Sequence, residues 1–191
     1  MKLASVVAGL ALVLSPVFSA EIPRKAPELV IPLTDGSQKL LSSYRGKVVV
    51  LEFVFTTCSH CQRSCQVLSN LQREYGSKGF QPLALAWNDM AKMLVPDFVR
   101  DFNVTFPVGY TDRTTVSNFL QIPAGENMHV PQIVFIDRKG MIRMQSLPRS
   151  DANTGSEANV RGMVEKLLAE KAGSSAPASG AKSSGTKQKA S

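Results

Sequence analysis

The chain has few cysteines, and this shortage excludes one class of protein. Of its 191 residues only 3 are Cys and 1 is Trp, and aromatic residues make up 7%. Three cysteines cannot build the disulfide framework that stabilises a small secreted domain. They lie close together, at positions 58, 61 and 65, so a disulfide between any two of them would close only a short loop and add little stability.

The chain also lacks an apolar run long enough to span a membrane. The apolar stretch at residues 3–14 is shorter than the roughly 20 residues that cross a bilayer. It follows Lys2 and precedes Pro16 and small residues, a pattern typical of a secretory signal peptide, which we assign to residues 1–20. The alternative is an uncleaved N-terminal anchor. The pattern predicts an extracytoplasmic protein, either periplasmic or secreted.

Acidic residues are in the minority, with 15 against 22 basic residues and a net charge of +7. No basic stripe is interleaved with aromatic residues, so nucleic-acid binding is not predicted. Residues 172–191 consist almost entirely of Ala, Ser, Gly and Lys, a composition that predicts a disordered tail. Contact with a membrane is expected only through the signal segment or this basic tail. Residues 21–171 have the length of one domain, which we expect to be a monomer.

Strand and helix patterns alternate along residues 21–171. The apolar, β-branched run from Val48 predicts a buried strand, and helical spacing predicts a helix from Ser59 to Tyr75. Further strands are predicted at 80–87, 132–137 and 141–145, and further helices at 90–102, 113–120 and 159–171. The alternation predicts an α/β domain whose central mixed β-sheet is flanked by helices. The scattered methionines are expected to fill the core, namely Met90, Met93, Met128, Met141, Met144 and Met163.

The junction between the first buried strand and its helix carries a C-x-x-C motif, Cys58-Ser59-His60-Cys61. Unpaired N–H groups at a helix N-terminus favour a thiolate at the first cysteine, and the second cysteine lies one turn later. This arrangement predicts thiol–disulfide exchange in which Cys58 attacks and Cys61 resolves the mixed disulfide. A cationic His60 would stabilise the Cys58 thiolate, and an inert surface histidine is the alternative.

An ordered set of motifs across residues 26–168 resembles thioredoxin-fold proteins of the TlpA/ResA type. These belong to the alkyl hydroperoxide reductase/thiol-specific antioxidant superfamily. In chain order, the motifs are Ala26-Pro27, Asp35-Gly36, Gly46-Lys47-Val48-Val49-Val50, Cys58-Ser59-His60-Cys61, Phe106-Pro107-Val108, Val130-Pro131 and Ile136-Asp137-Arg138-Lys139-Gly140.

The resemblance implies roles for three residues outside the motif. Pro131 would be the cis-proline of a loop that, with Val130, offers its backbone to a bound substrate. Glu52 would be a buried carboxylate beneath the second cysteine that takes the proton of Cys61. The resemblance also implies reduction of cysteine-containing partner proteins, such as apocytochromes or copper-site proteins, with electrons from a membrane donor. No cofactor beyond the redox-active disulfide is expected, and the motif itself does not decide between reductase and oxidase.

The chain departs from this family pattern in two places. Thr57 stands where the family usually has Trp immediately before the first cysteine. Cys65 is an additional cysteine, four residues after Cys61 and on the same helix face. Three interpretations of Cys65 stay open at this point: a plain buried thiol, a third redox group or a metal ligand.

Proteins that share this fold also act as copper chaperones or as peroxidases. A copper chaperone like the Sco proteins is the alternative function, with Cys58, Cys61, Cys65 and His129 as ligands, although Sco proteins space their cysteines as C-x-x-x-C. Peroxidase activity is not expected. Peroxiredoxins need Pro and Thr or Ser seven and three residues before the reactive cysteine, and this chain has Leu51 and Phe55 there.

Overall fold

The computed structural model describes residues 20–123, 125–149 and 155–170. The predicted signal segment up to residue 19 and the predicted tail at 172–191 lie outside these residues. The strands are β1 (Arg24–Lys25), β2 (Val30–Pro32), β3 (Gln38–Leu40), β4 (Val48–Val54), β5 (Phe80–Ala86), β6 (Val108–Tyr110), β7 (Gln132–Ile136) and β8 (Met141–Gln145). The helices are α1 (Ser59–Tyr75), α2 (Ala91–Asp101), α3 (Arg113–Leu120) and α4 (Glu157–Ala169). Among these helices, none combines the length and apolarity needed to cross a membrane.

Six strands form one mixed sheet in the order β1-β8-β7-β4-β5-β6. Strands β4, β5 and β6 are parallel, while β7, β8 and β1 join by antiparallel pairing. Strands β2 and β3 form a separate hairpin that touches β6 through a bridge between Leu33 and Gly109. This architecture confirms the predicted α/β class with a central mixed sheet.

Strand β4 lies in the centre of the sheet, and all seven of its residues are buried. Val48, Val50 and Val54 pack into a core formed with α1, α2 and α4. The alternate residues Val49, Leu51 and Phe53 pack into a second core formed with α3 and the N-terminal segment. Burial on both faces explains the nearly continuous apolar run in the sequence. Glu52 is the one charged residue in this strand.

Helix α1 spans the predicted range, Ser59–Tyr75, and rests one face on the sheet. Its buried face carries Cys61, Cys65 and Leu68, which recur at helical spacing. The helix begins directly after the strand that it covers, with Cys58 as the capping residue. The sequence therefore places both cysteines of the C-x-x-C motif at the edge of the sheet where β4 ends.

The expectation that methionines fill the core is wrong for two of them. Met90 and Met93 are 63% and 68% exposed. They lie at the start of α2, whose buried residues are Ala91, Val95 and Phe98. Since these positions define the inner face of the helix, Met90 and Met93 fall on the side that faces solvent.

Gly109 in β6 lies where the hairpin approaches the main sheet, and it gives a stability test of that contact. A Cβ atom at this position would come within 2.6 Å of the Pro32 carbonyl oxygen and 2.8 Å of Ile31 Cγ2. We expect Gly109→Ala to lower the free energy of unfolding by about 1–3 kcal/mol, because the backbone oxygen can move only with the hairpin. Urea unfolding measures the change. Gly162→Ala is the control, because a Cβ there has nothing within 4 Å and alanine favours a helix; an equal loss in both variants would contradict the account.

Candidate active site

Cys58 is the accessible thiol of the C-x-x-C motif, while Cys61 is fully buried. The Cys58 sulfur accepts a hydrogen bond from the Cys61 backbone N–H at 3.4 Å. It lies 3.8 Å from the carbonyl oxygen of Val130, to which its thiol donates. A backbone N–H that points at the sulfur stabilises a thiolate, as expected at a helix N-terminus. The geometry therefore makes Cys58 the sulfur that another protein can reach.

The turn that carries Cys58 is tied to the neighbouring strand and to α1. Thr56 donates its backbone N–H to Asn88 Oδ1 at 2.9 Å, and Asn88 Nδ2 donates to Thr56 Oγ1 at 3.1 Å. Gln62 Nε2 donates to the Thr56 carbonyl at 3.0 Å. The neighbouring Thr57, which replaces the usual Trp, is exposed. These bonds fix the approach of β4 to the helix without a tryptophan at that position.

The only tryptophan packs beside this turn instead of before the first cysteine. Trp87 is buried at the end of β5, and its ring meets that of Phe55 edge-on, with 4.5 Å between centroids. The guanidinium of Arg113 lies 5.6 Å from the Trp87 ring centroid. Trp87 therefore stabilises the turn before Cys58 by packing against Phe55.

The loop opposite Cys58 contains a cis peptide bond between Val130 and Pro131, as the family resemblance implies. The next residue, Gln132, is fully buried and anchors this loop. Its Nε2 lies 2.8, 3.2 and 3.3 Å from the carbonyl oxygens of His129, Pro148 and Leu147, which share its two N–H donors. This anchor could not be predicted, because a glutamine at the start of a strand does not reveal which carbonyls surround it.

Glu52 is fully buried below α1, and both of its carboxyl oxygens have partners. Ser64 Oγ donates to Oε1 at 2.5 Å, and the Cys65 thiol donates to Oε2 at 3.6 Å. Burial raises the pKa of Glu52 to about 7, although these two hydrogen bonds lower it. The carboxyl oxygens thus bond to Ser64 and Cys65 rather than to Cys61. The role of Glu52 as acceptor of the Cys61 proton stays a prediction.

The Glu52 carboxyl helps to raise the pKa of both buried thiols, Cys61 and Cys65. Burial raises the pKa of Cys61, and the nearby charges of Cys58 and Glu52 raise it further, against a lowering by the Phe55 backbone N–H. Burial is also the largest cause that raises the pKa of Cys65, and the charges of Glu52 and Cys61 raise it further. Both thiols are therefore poor nucleophiles until a base accepts their proton.

Ser64 was missed in the sequence analysis, although a weak signal for it exists. It lies three residues after Cys61 and is buried in α1, so a small polar side chain faces an otherwise apolar core. Such a residue normally requires a hydrogen-bond partner, and Glu52 provides it.

The two histidines singled out from the sequence are both exposed. His60 lies on the first turn of α1, and His129 lies in the loop before Pro131, where its backbone N–H donates to the Pro148 carbonyl at 2.8 Å. Among the residues described, no three His, Cys, Asp or Glu side chains are grouped so as to hold a metal ion. The set of Cys58, Cys61, Cys65 and His129 therefore does not assemble as a copper site in this geometry, which does not favour the Sco-like alternative.

Comparison with known proteins places this geometry in a defined family. A family model described as Redoxin matches residues 23–164. The thiol-disulfide oxidoreductase ResA of Geobacillus kaustophilus is 30% identical over 118 residues, which cover 62% of this chain and 64% of that protein. The ResA protein of Bacillus thuringiensis subsp. konkukian is 32% identical over 88 residues, which cover 46% and 50%. The matched regions thus span less than two thirds of the length of these relatives.

A solved structure extends the comparison to three dimensions. The thiol:disulfide interchange protein of the thioredoxin family from Chlorobium tepidum TLS superposes with a TM-score of 0.64 at 22% identity, covering 78% of this chain and 98% of that one. At this identity the likeness shows the fold alone. Together with the sequence matches, it confirms the resemblance to thioredoxin-fold proteins of the ResA type.

Proposed function

Since this chain belongs to the Redoxin family, we propose that it is a thiol–disulfide oxidoreductase that acts through Cys58 and Cys61. The observation that supports this most is the asymmetry of the pair. Cys58 is accessible and faces the Val130 carbonyl, while Cys61 is buried directly behind it. Exchange requires one sulfur that a partner can reach and one that only the first sulfur can reach.

In the reducing direction, the Cys58 thiolate attacks one sulfur of the partner disulfide, and the other sulfur leaves as a thiolate. Cys61 then loses its proton and attacks Cys58 in the mixed disulfide, which releases the second partner thiolate. The two cysteines end as a disulfide, and the partner ends as two thiols after taking up two protons. The two electrons come from the dithiol, so no cofactor is needed.

Glu52 supplies the base for the second step. Burial opposes ionisation of Cys61, so its proton requires an acceptor inside the core. With its pKa raised to about 7, Glu52 exists in both protonation states near neutral pH and can take that proton and later release it. The backbone of Val130 and Pro131 binds the partner chain beside Cys58, and His60, which is exposed on the first turn of α1, is proposed as a further contact for the partner.

We also propose a physiological setting for this reaction. The signal pattern at residues 1–20 supports an extracytoplasmic site of action, periplasmic or secreted. Relatives that carry the name thiol-disulfide oxidoreductase support exchange with disulfides or thiols. We propose, as the family resemblance implies, that the chain reduces cysteine-containing proteins such as apocytochromes or copper-site proteins. In this setting the oxidised protein is reduced again by a membrane electron donor, and it works as a monomer.

Trapping with Cys61→Ser tests this proposal. We expect partner proteins to accumulate as mixed disulfides on Cys58, because the sulfur that would release them is gone. Mass spectrometry of the purified adducts identifies the partners, and the double variant Cys58→Ser, Cys61→Ser is the matched control. A trap that stays empty under both reducing and oxidising growth, or one that fills equally in the double variant, would argue against the oxidoreductase.

A further inference from the structure

The hydrogen bonds to Glu52 come from two adjacent residues of α1 that lie outside the C-x-x-C motif. Ser64 and Cys65 follow Cys61 by three and four residues, so they occupy the same face of the helix as the resolving cysteine. Each donates to a different carboxyl oxygen, at 2.5 Å from Ser64 Oγ to Oε1 and at 3.6 Å from Cys65 Sγ to Oε2. All three side chains are buried.

Folding alone does not explain this group of side chains. A carboxyl in the middle of a strand that is buried on both faces opposes folding when it is ionised, and an apolar residue there would avoid the desolvation penalty. Both partners of Glu52 act as donors, and donors favour the ionised carboxylate. Burial thus disfavours the ionised form of Glu52, while the two hydrogen bonds favour it. Because these effects oppose each other, the carboxyl can both accept and release a proton near neutral pH.

We propose that Ser64 and Cys65 are positioning residues: they hold the two carboxyl oxygens of Glu52 and thereby control the transfer of the Cys61 proton to that carboxyl. This proposal rests on the proposed thiol–disulfide exchange. Cys65 is then neither a redox group nor a metal ligand, because its thiol only donates a hydrogen bond. The Cys61 proton binds to a lone pair of Glu52 that neither donor occupies, because each carboxyl oxygen accepts only one of the two hydrogen bonds. In this step the S–H bond of Cys61 breaks and an O–H bond of Glu52 forms, so that Cys61 becomes the thiolate that attacks Cys58.

Apart from Ser64 and Cys65, no residue described around Glu52 donates a hydrogen bond to its carboxyl oxygens. On α1, the titratable neighbours are Cys61 and Cys65, which respond to the charge of Glu52, and Cys58, which acts on Cys61. In the flanking strands β5 and β7, the residues paired with Glu52 are Ala84 and Ile133. The helices α2 and α4 contribute only uncharged residues to this core in the part of the chain described, namely Ala91, Val95, Phe98, Val160, Val164 and Leu167.

Titration of the Glu52 carboxyl by ¹³C NMR tests the proposal, with the resonance assigned by its loss in Glu52→Gln. We expect Ser64→Ala to shift the midpoint upward by about one pH unit, and Cys65→Ala by about half a unit because a thiol is the weaker donor. Cys65→Ser keeps a donor and should return the midpoint to the wild-type value or slightly below it. Ser69→Ala is the matched control. Its hydroxyl is also buried in α1 but donates to the Cys65 carbonyl, so this change should leave the titration unmoved.

The pH profile of protein-disulfide reduction is measured on the same variants. Because the reaction needs ionised Glu52, the rate falls as pH drops through its pKa, and Ser64→Ala should move this acid limb upward with the carboxyl midpoint. At about pH 7 the rate should fall roughly five-fold, as the ionised fraction drops from about a half to about a tenth. Midpoints that do not move, or an acid limb that stays fixed while the midpoint shifts, would overturn the proposal. If even the wild-type protein reduces no protein disulfide, the proposed function fails, and the carboxyl titration alone still decides whether Ser64 and Cys65 control Glu52.

Discussion

Cys58→Ser should lower the rate of protein-disulfide reduction by at least about 1,000-fold, to that of the uncatalysed reaction. The reason is that Cys58 is the only accessible sulfur of the three: Cys61 and Cys65 are fully buried, and burial raises the pKa of both thiols. A serine hydroxyl in the same place cannot form a mixed disulfide. The effect is measured as the rate at which the protein reduces a protein disulfide, monitored through the consumption of the reductant.

Two further cysteine variants make this result specific. Cys65→Ser should keep nearly the full rate, because serine retains a donor to Glu52 and Cys65 forms no covalent intermediate in the proposed exchange. Cys61→Ser should retain the first attack but stop after one event, with the partner bound to Cys58. A substantial rate in Cys58→Ser, or an equal loss in Cys65→Ser, would mean that another sulfur performs the attack.

Glu52→Gln has the second large effect, and it acts on turnover and stability in opposite directions. Without a carboxylate to accept the Cys61 proton, turnover at about pH 8 should fall by roughly 100-fold or more. Stability should rise at the same pH, because the variant no longer buries a charge. The trade-off distinguishes a functional carboxyl from one that the fold requires.

The sign of the stability effect follows from the pKa values. The ordinary value for Glu is 4.5, and burial raises that of Glu52 to about 7 in the folded protein. A raised pKa contributes stability that is fully present below about pH 4.5 and is lost as the pH rises through about 7. The wild-type protein therefore loses about 3 kcal/mol over this interval relative to Glu52→Gln. Urea unfolding of both proteins from about pH 4.5 to 8 measures the difference, and a difference that stays constant with pH would contradict the raised pKa.

Much of the fold could be predicted because local patterns agreed with the tertiary structure. The continuous apolar run of β4 reflects burial on both faces, and the spacing of Cys61, Cys65 and Leu68 reflects the buried face of α1. The cysteine pair could be placed at the end of the central strand for the same reason. The family resemblance added the cis peptide before Pro131, which residue patterns alone do not indicate.

The parts that could not be predicted depend on which side chains meet across elements. The contacts of Ser64 and Cys65 with Glu52 require the rotation of α1 over β4, and sequence spacing within the helix does not fix that rotation. The carbonyl oxygens that accept hydrogen bonds from Gln132 belong to two separate loops. The exposure of Met90 depends on where α2 begins relative to its inner face. In each case the residue type was visible, but its partner was not.

Redox titration of the wild-type protein tests whether Cys58 and Cys61 form the redox-active pair. After equilibration in dithiothreitol or glutathione buffers of graded potential, free thiols are alkylated and the cysteine peptides are mapped by mass spectrometry. We expect one two-electron transition that forms a disulfide between Cys58 and Cys61 and leaves Cys65 as a thiol. We also expect a midpoint closer to the value of about −270 mV for thioredoxin than to about −120 mV for DsbA. A disulfide that includes Cys65, or the absence of any disulfide, would contradict the assignment of the pair, and a midpoint near −120 mV would contradict a reductant.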